Sequence, residues 1–366
     1  MNILIVKLSA IGDVIHTLPA LNALRAAFPD ARITWLVEEA ASALVIGHPA
    51  LDRVLVCRRK SWLRNWKRGS RKEILAEIGA FIRNLRDTRY DVVLDFQALL
   101  KGAIWIALAR GKRKIGFDRG MAHMEHSYWF LNERIPPISM EVHALERNLQ
   151  MLEPLGIRET RAVYRLPIAA GHRQTARQLL MAASETEGPL VCINPVAKWE
   201  TKLWLAERFA AVADQLVGVY RANVAFTGAS ADGPIIDDIR RRMQAKSLDL
   251  SGKTDLMTLA ALYEKADLVI STDTGPMHLA AAVETPVVAL FGPTAPWRTG
   301  PYGGHHRVIR IKTACSPCFK RNCDRPSCMQ QIDSETVFRA AGDILQASGF
   351  PRHTDRHSGF SRGGWG

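Results

Sequence analysis

The chain has 366 residues, of which 47% are hydrophobic, 7% aromatic and 23% charged. This length suits two domains of about 150 residues each, and the composition excludes a disordered chain, a collagen or a small disulfide scaffold. Lysine and arginine outnumber aspartate and glutamate by 49 to 36, which gives a formal net charge of +13. Such an excess favours an anionic partner: a nucleic acid, a phosphorylated small molecule or an acidic membrane surface.

Short apolar runs alternate with helical periodicity through the first half of the chain. The runs that predict strands are residues 3–8, 32–37, 53–56, 92–96 and 114–117. Helices are predicted between them, notably at residues 14–27 and 72–86. Alternation of this kind is typical of a parallel sheet that is covered by helices on both faces.

Glycine and proline interrupt the pattern near residues 155–172, and strand–helix alternation then resumes. Strands are predicted at residues 190–194, 223–227, 247–250, 268–271 and 287–291, with helices at 204–217 and 276–283. The chain is therefore predicted to be an α/β protein with two doubly wound domains, residues 1–165 and 173–332. A helix with Ser334 as N-cap is expected within residues 333–350, and residues 351–366 are expected to be a disordered tail.

No apolar run approaches the roughly 18 residues that a membrane-spanning helix needs. The longest run, residues 103–109, is short and follows Lys101. The apolar start of the chain ends at Lys7, whereas a secretory signal places its positive charge first. We therefore expect a cytoplasmic protein whose six cysteines are reduced by default.

The turn after the first predicted strand ends in Gly12 and Asp13. Ligands of open parallel sheets bind at the carboxyl ends of strands, where such turns lie. Gly12 lets the backbone approach a ligand, and Asp13 would stand at the mouth of the cleft. Aspartate also caps helices at this kind of position, so that role stays open. The turn lacks the G-x-G-x-x-G pattern, which argues against a dinucleotide-dependent dehydrogenase.

A second turn, with Asp273, Thr274 and Gly275, follows the strand predicted at 268–271, and Pro276 suits the first turn of a helix. The N–H groups of such a turn at a helix N-terminus predict a phosphate site. His278 lies one turn further on, where it could face the same ligand or be packed in the protein. The Asp-Thr-Gly triplet also occurs in aspartic proteases, but those enzymes need two aspartates in a mainly β fold, so we reject that function.

The first strand of the second half leads into a polar loop that carries Asn194, Lys198, Thr201 and Lys202. This loop is the positional counterpart of the first turn, with cations where that turn has a carboxylate. Its lysines could neutralise a diphosphate, although a lone lysine in a loop is usually only solvated.

Residues 57–72 hold eight basic residues and no acidic one, interleaved with Trp62 and Trp66. Arginine and lysine mixed with aromatic residues suit nucleic acid or a phosphorylated lipid at a membrane surface. Since eight like charges in so short a stretch repel one another, we favour an anionic partner over a merely solvated helix face.

Four cysteines, Cys315, Cys318, Cys323 and Cys328, lie within fourteen residues. One Cys-x-x-Cys pair could hold structural zinc, but the later spacings differ from common zinc fingers. Disulfides and reduced thiols that pack a loop are comparable alternatives, so no metal is assigned.

Taken together, these segments resemble glycosyltransferase family 9, the heptosyltransferases of the lipopolysaccharide core. The resemblance spans residues 2–332 and rests on five motifs: KLSAIGDVIHTLPAL at 7–21, ITWLVEE at 33–39, DFQALLK at 95–101, NPVAKWETKLW at 194–204 and DTGPMH at 273–278. The first two motifs look most like the subgroup that adds the first heptose. The segment that begins at Cys315 looks more like the subgroup that adds the second.

The resemblance implies a GT-B fold, in which two Rossmann-like domains face each other across a cleft and a C-terminal helix crosses back to the first domain. It also implies transfer of heptose, with inversion, from ADP-L-glycero-D-manno-heptose to the phosphorylated Kdo-lipid A acceptor, without a metal or other cofactor. The enzyme would work on the cytoplasmic face of the inner membrane, in peripheral contact with anionic lipid and without a nucleic-acid partner.

Roles for individual residues follow from this resemblance. Asp13 would be the general base, and Lys202 with the amides of Thr274 and Gly275 would stabilise the departing ADP. The other donor-binding candidates are Asn194, Lys198, Thr201, Asp273 and His278. The acceptor-binding candidates are Gly12, Arg58, Arg59, Lys60, Arg64 and Lys101. These roles require Asp13 and the Thr274 turn to face one shared crevice.

Two alternative functions stay open at this point. One is a transferase of the same architecture that adds the second heptose or uses a different sugar nucleotide. The other is a non-catalytic module that binds nucleic acid or a membrane, which would account for the basic stretch but not for Asp13 or the second wall of the cleft.

Overall fold

The computed structural model describes residues 1–67, 69–121, 124–181 and 187–352. The strands of the first domain are β1 (Asn2–Val6), β2 (Arg32–Glu38), β3 (Arg53–Cys57), β4 (Arg89–Asp95), β5 (Arg110–Phe117) and β6 (Glu133–Ile135). Those of the second domain are β7 (Leu190–Asn194), β8 (Asn223–Phe226), β9 (Leu248–Asp249), β10 (Leu268–Thr272), β11 (Val287–Phe291) and β12 (Arg307–Arg310).

Helices connect these strands in both domains. In the first domain they are α1 (Ile11–Ile15), α2 (Leu18–Ala27), α3 (Arg59–Trp66), α4 (Arg71–Arg86), α5 (Leu100–Leu108) and α6 (Ala144–Gln150). In the second they are α7 (Ala170–Met181), α8 (Ala206–Tyr220), α9 (Gly233–Arg242), α10 (Leu256–Tyr263), α11 (Gly275–Ala282), α12 (Pro296–Thr299), α13 (Ser327–Gln330) and α14 (Ser334–Ala347). Single 3-10 turns lie at Glu39–Leu44, Ser127–Phe130, Glu153–Leu155, Glu200–Lys202 and Ser230–Asp232.

Both sheets are parallel and have the same strand order. The first runs β3-β2-β1-β4-β5-β6 and the second β9-β8-β7-β10-β11-β12, which is the doubly wound order of a Rossmann fold. The order reverses between β1 and β4 in one sheet and between β7 and β10 in the other. Ligands bind such sheets at the carboxyl ends of the strands beside this reversal. A ligand site is therefore expected at the turns after β1, β4, β7 and β10. The predicted α/β class with two doubly wound sheets is confirmed.

Side chains that alternate along β1 fill two different cores. Ile3 and Ile5 belong to a cluster on one face of the first sheet, whereas Leu4 and Val6 pack on the other face beneath α3, α4 and α5. The first of these clusters continues into the second domain, where it includes Met277 of α11. Because alternate residues of a strand point to opposite faces, the near-continuous apolar run of β1 is what a sheet covered on both sides requires.

The two domains touch through α1 and α11. A β-carbon on Gly12 would overlap the imidazole ring of His278, and one on Gly275 would lie 3.1 Å from Cγ2 of Ile11. Glycine at these two positions therefore lets the two turns approach closely.

The structure differs from the predicted elements in three ways. The helix predicted at 14–27 is two helices, because Pro19 lacks the N–H that a continuous helix needs and instead lies in the first turn of α2. The strands β6 and β12 were not predicted, since they are short and rich in charged side chains. The N-cap of α14 is Asp333 rather than Ser334, and its side chain accepts a hydrogen bond from the Thr336 N–H.

The last described helix, α14, packs against α8 and the second sheet, and its buried side chains lie in the core of the second domain. The resemblance to family 9 implied a helix here that crosses back to the first domain. The predicted disordered tail lies mostly in residues 353–366, outside the described residues. Within the described residues, no helix combines the length and the apolar character that crossing a bilayer demands.

Candidate active site

A cleft of about 890 Å³ lies between the two domains at the carboxyl ends of the strands. The first domain lines it with residues that include Gly12, Asp13, Arg59, Lys60 and Lys101. The second domain lines it with residues that include Lys198, Lys202, Asp273, Thr274, Gly275 and His278. The predicted shared crevice between Asp13 and the Thr274 turn is thus present.

Asp13 is exposed at the start of α1. Its Oδ2 accepts a hydrogen bond of 2.9 Å from the Ala10 N–H, so the carboxylate does cap the helix. Among the described residues no donor contacts its Oδ1, and Asp13 lines the cleft. One carboxylate can therefore serve both roles that the sequence left open, with one oxygen for the backbone and one for a ligand.

Gln97, from the predicted DFQ motif, holds the turn that carries Asp13. Its Oε1 accepts hydrogen bonds from the N–H groups of Leu8 (2.8 Å) and Ser9 (3.1 Å). Lys101 also reaches this turn, since its Nζ donates to the Ser9 hydroxyl. Burial lowers the pKa of Lys101. The motif therefore shapes the first turn of the cleft, a role that its sequence alone did not reveal.

Glu38 lies close to two cations, Arg59 and Lys60, on the first-domain wall of the cleft. Its carboxylate accepts a hydrogen bond of 3.0 Å from Arg59 Nε and lies 3.9 Å from Lys60 Nζ. Arg58 instead lies 3.8 Å from Glu39, and Arg64 donates weakly to Ser61.

Neither Arg58 nor Arg64 lines the cleft. Trp62 is a core residue, buried against Phe81 and Trp105 with its Nε1 donating to Glu77. Of the described residues in this basic stretch, only Arg59 and Lys60 line the cleft, and Trp62 is structural.

Lys202 and Asp273 form an ion pair on the second-domain wall. Lys202 Nζ lies 2.6 Å from Asp273 Oδ2, and the same oxygen accepts 2.6 Å from the Thr294 hydroxyl. Both residues are largely buried, so the carboxylate fixes the ammonium group against the cleft. Beside them, Thr274 is the N-cap of α11, and the first N–H groups of a helix have no partner within that helix.

A second cavity, of about 370 Å³, adjoins the cleft inside the second domain. Asn194 lines it, Lys198 and Thr274 line both cavities, and Asp232 and Asp255 complete its polar wall. Among the described residues, the buried Oδ1 of Asn194 has no hydrogen-bond partner, while its Nδ2 donates to the Thr227 carbonyl at 2.8 Å. Asn194 is thus an enclosed residue in the wall of this cavity.

Thr201 is placed differently from the prediction. Its hydroxyl donates to the Lys320 carbonyl at 2.8 Å, and the residue is buried outside the cleft lining. Thr201 thereby fastens the second-domain turn to the cysteine-rich segment instead of meeting a ligand.

Three histidine rings meet beneath the cleft. The His16 ring lies edge-on to His278 (4.5 Å between centroids) and to His143 (5.0 Å). His143 Nε2 donates to the Gly300 carbonyl at 3.1 Å, which joins the first domain to the second. Burial lowers the pKa of all three, to about 4 for His278. His278 is thus a neutral, packed side chain at the contact between domains.

The cleft residues that the sequence analysis did not assign to the site include Trp199, Arg298, Phe319 and Arg321. The Trp199 ring lies 4.5 Å from Lys202 Nζ and 5.3 Å from the Arg321 guanidinium. Arg298 stacks 5.2 Å from Phe319, whose φ of 54° is unusual for a bulky residue. No local sequence pattern marks Arg298 or Arg321, because tertiary packing brings their segments to the cleft.

The cysteine-rich segment therefore supplies part of the cleft wall. All six cysteines of the chain are free thiols. In the described ranges, no three or more His, Cys, Asp or Glu side chains are grouped to hold a metal ion.

Comparison with known proteins agrees with this architecture. Residues 78–328 match glycosyltransferase family 9 (heptosyltransferase). Lipopolysaccharide heptosyltransferase 1 of Pseudomonas aeruginosa is 31% identical over 328 residues, which cover 88% of this chain and 87% of that protein.

Two solved structures are also similar. A glycosyl transferase family 9 protein from Veillonella parvula has a TM-score of 0.78 at 25% identity, covering 94% of this chain and 97% of that one. The E. coli heptosyltransferase WaaC with ADP has a TM-score of 0.76 at 27% identity, covering 94% of this chain and all of that one. With two Rossmann-like domains, a shared cleft and a family match over most of its length, the chain belongs to glycosyltransferase family 9 and is a glycosyltransferase with the GT-B fold of the heptosyltransferases.

Proposed function

We propose that this enzyme transfers heptose, with inversion, from ADP-L-glycero-D-manno-heptose to the Kdo-lipid A inner core of lipopolysaccharide. One observation carries the proposal: Asp13 from the first domain and the Lys202–Asp273 pair from the second line the same cleft. A carboxylate opposite a fixed cation suits a reaction in which a hydroxyl loses a proton while a diphosphate departs.

The second domain would hold the donor. The similar E. coli enzyme was solved with ADP, and here the cavity beside Asn194 opens into the cleft through Lys198 and Thr274. A nucleoside in that cavity would direct its diphosphate toward Lys202 and the N-terminus of α11. Helix N-termini favour phosphate because their N–H groups are unpaired and the helix dipole adds positive potential.

Transfer would proceed as a single displacement. Asp13 accepts the proton of the acceptor hydroxyl as its oxygen forms a bond to the anomeric carbon of heptose. The bond from that carbon to the β-phosphate oxygen breaks on the opposite face, which inverts the configuration. ADP leaves with the bonding electrons, and Lys202 and the Thr274–Gly275 amides stabilise its added charge.

Asp273 would act as a positioning residue, since it holds the Lys202 ammonium through a 2.6 Å ion pair and is itself held by Thr294. A fixed cation stabilises a developing charge without reorganisation at the moment of reaction.

The first domain would hold the acceptor. Arg59, Lys60 and Lys101 line the cleft on the same side as Asp13, where they suit the carboxylates and phosphates of Kdo-lipid A. Arg58 and Arg64 lie outside the cleft and would meet anionic groups further along the lipid or in the membrane. We further propose that the step is addition of the first heptose, which the similarity to the Pseudomonas aeruginosa heptosyltransferase 1 supports, and that the enzyme acts in the cytoplasm at the inner membrane.

The test is incubation of the purified enzyme with ADP-heptose and Kdo2-lipid A, followed by mass measurement of the product. We expect an acceptor heavier by one heptose, and no product when an already heptosylated acceptor replaces Kdo2-lipid A. Product only from the heptosylated acceptor would assign the second step. ADP, UDP and GDP sugars, compared by thermal shift, would identify a different donor.

A further inference from the structure

Helix α5 is apolar on all its faces. Apart from Lys101 at its start, its residues are glycine, alanine, isoleucine, tryptophan and leucine. Its inner side chains Ala103, Trp105 and Ile106 are buried, yet Leu100 and Ile104 are 46% and 56% exposed. A helix that is apolar all round is normally buried on every side, but within the described part of the chain the outer face of α5 is exposed.

The turn beside α5 enlarges this surface. Residues Ser127–Phe130 contact α5 and expose Trp129 (64%) and Phe130 (38%). The Trp129 ring stacks on His126 at 4.8 Å, so it is held in place while remaining open to solvent. We call Leu100, Ile104, Trp129 and Phe130 the apolar face.

Helix α3, which covers the same face of the first sheet as α5, carries basic residues. Helices α3 and α5 pack on one aromatic cluster, in which the Trp62 and Trp105 centroids are 6.4 Å apart. On α3, Leu63 and Trp66 are exposed, and the exposed cations Arg64 and Lys67 directly follow them in the sequence.

Two acidic residues of this layer accept hydrogen bonds from neutral groups. Glu77 accepts one from Trp62 Nε1 (2.9 Å) and Glu125 accepts one from the Leu100 N–H (3.1 Å). Helix α3 itself carries three cations and no acidic residue, so the layer combines exposed aromatic and aliphatic side chains with a basic helix.

We propose that the apolar face docks on an anionic phospholipid bilayer, with Ile104 and Trp129 entering the interface and the α3 cations facing lipid phosphates. Tryptophan and aliphatic side chains beside basic residues are suited to this region of a bilayer. Lys101, in the first turn of α5, lines the cleft, so the same helix would bring the cleft to a lipid-linked acceptor. The inference extends the proposed membrane contact, which rested on charge alone, and its test involves no catalysis.

The experiment measures binding of the full chain to phosphatidylethanolamine–phosphatidylglycerol vesicles and to phosphatidylcholine vesicles by flotation. The variants are Ile104→Gln and Trp129→Ala. The matched control is Ile235→Gln, because Ile235 is an exposed isoleucine (40%) on α9 of the second domain. Thermal unfolding of each variant checks that it is folded, and sedimentation velocity reports its oligomeric state.

We expect wild type and Ile235→Gln to bind the anionic vesicles equally, and each apolar-face variant to bind about tenfold less tightly. Binding to neutral vesicles should be weaker for all proteins. Equal binding by all four proteins would overturn the inference and leave the basic stretch as the sole contact. A change from dimer to monomer in Ile104→Gln, without a change in vesicle binding, would assign the face to a second copy of the chain and also overturn it.

Discussion

The turn after β1 and the turn after β7 occupy the same place in two sheets of identical strand order, but they carry opposite charge. The first presents Asp13 to the cleft, and the second presents Lys198 and Lys202. The scaffold is therefore the same on both sides, and a few side chains decide which partner each side can hold. A carboxylate suits the acceptor hydroxyl and cations suit the diphosphate.

The turns after β4 and β10, the neighbouring strands in the two sheets, also differ in what their aspartates bind. Asp95 is buried and accepts the N–H groups of Gln97 and Ala98 within its own turn. Asp273 instead reaches Lys202 and Thr294 on other segments. One aspartate shapes a backbone turn, whereas the other positions a cation, so aspartates at the ends of corresponding strands have different roles in the two domains.

Asp13 offers the largest expected effect. Asp13→Asn keeps an oxygen that can accept the Ala10 N–H but removes the base, so kcat should fall about 10²- to 10⁴-fold. Single-turnover assays with saturating donor and acceptor would measure this. Retained turnover in Asp13→Asn would leave Asp13 as a helix cap and remove the functional contrast between the two turns.

Substitution of Lys202 tests the turn after β7, as substitution of Asp13 tests the turn after β1. Lys202→Ala removes the cation and leaves Asp273 buried without its partner, so kcat/KM for the donor should fall about 10²-fold. Lys198→Ala is in the same turn, but Lys198 is exposed and forms no ion pair with any described residue. This variant should have a much smaller effect in the same steady-state assay. Equal losses in the two variants would show that charge alone matters and that the Lys202–Asp273 geometry does not.

The histidines between the turns predict a dependence on pH. Burial lowers the pKa of His278 from 6.5 to about 4, so the unfolded chain takes up this proton first as pH falls. The stabilisation from neutral His278 is complete above pH 6.5 and is lost as pH falls toward 4, by roughly 3 kcal/mol at most. His278→Leu, which cannot be protonated, should lose less stability over that range in thermal unfolding. An equal loss in wild type and variant would contradict the neutral, packed role of His278.

Gly12 and Gly275, at the contact between the two domains, should differ in how well they tolerate a larger side chain. Gly12→Ala would force a β-carbon into the His278 ring, whereas Gly275→Ala would place one 3.1 Å from Ile11 Cγ2, which a small shift can relieve. We expect Gly12→Ala to cost about 1–3 kcal/mol of stability and Gly275→Ala less. Thermal unfolding would measure both, and the reverse order would refute the close approach of the α1 turn to α11.

Arg321 should give the smallest effect. Arg321→Ala is expected to raise the donor KM about fivefold, since the side chain is exposed and its charge is partly screened. Arg325→Ala removes the same charge from an exposed site that does not line the cleft, and its KM should stay unchanged. Equal KM values in the two variants would exclude Arg321 from donor binding.

Sequence reasoning succeeded where local pattern decides the outcome. The strands that carry the site follow from short apolar runs, and parallel strands place their carboxyl ends at one edge of a sheet, so each turn could be predicted to lie at the ligand-binding edge of its own sheet. That the two edges face one cleft was implied by the resemblance to family 9. Sequence reasoning failed where packing between distant segments decides. Thr201 binds the Lys320 carbonyl, Trp62 packs into a core, and Arg321 reaches the cleft only because the cysteine-rich segment folds over Trp199.

The most direct test of the account is titration of ADP into Asp13→Asn and Lys202→Met by calorimetry, with wild type in parallel. If the Asp13 carboxylate contacts the acceptor and the Lys202 ammonium binds the nucleotide, Asp13→Asn will bind ADP like wild type. Lys202→Met will then bind ADP about 10²-fold more weakly. Weak ADP binding by Asp13→Asn, or unchanged binding by Lys202→Met, would contradict this division of labour.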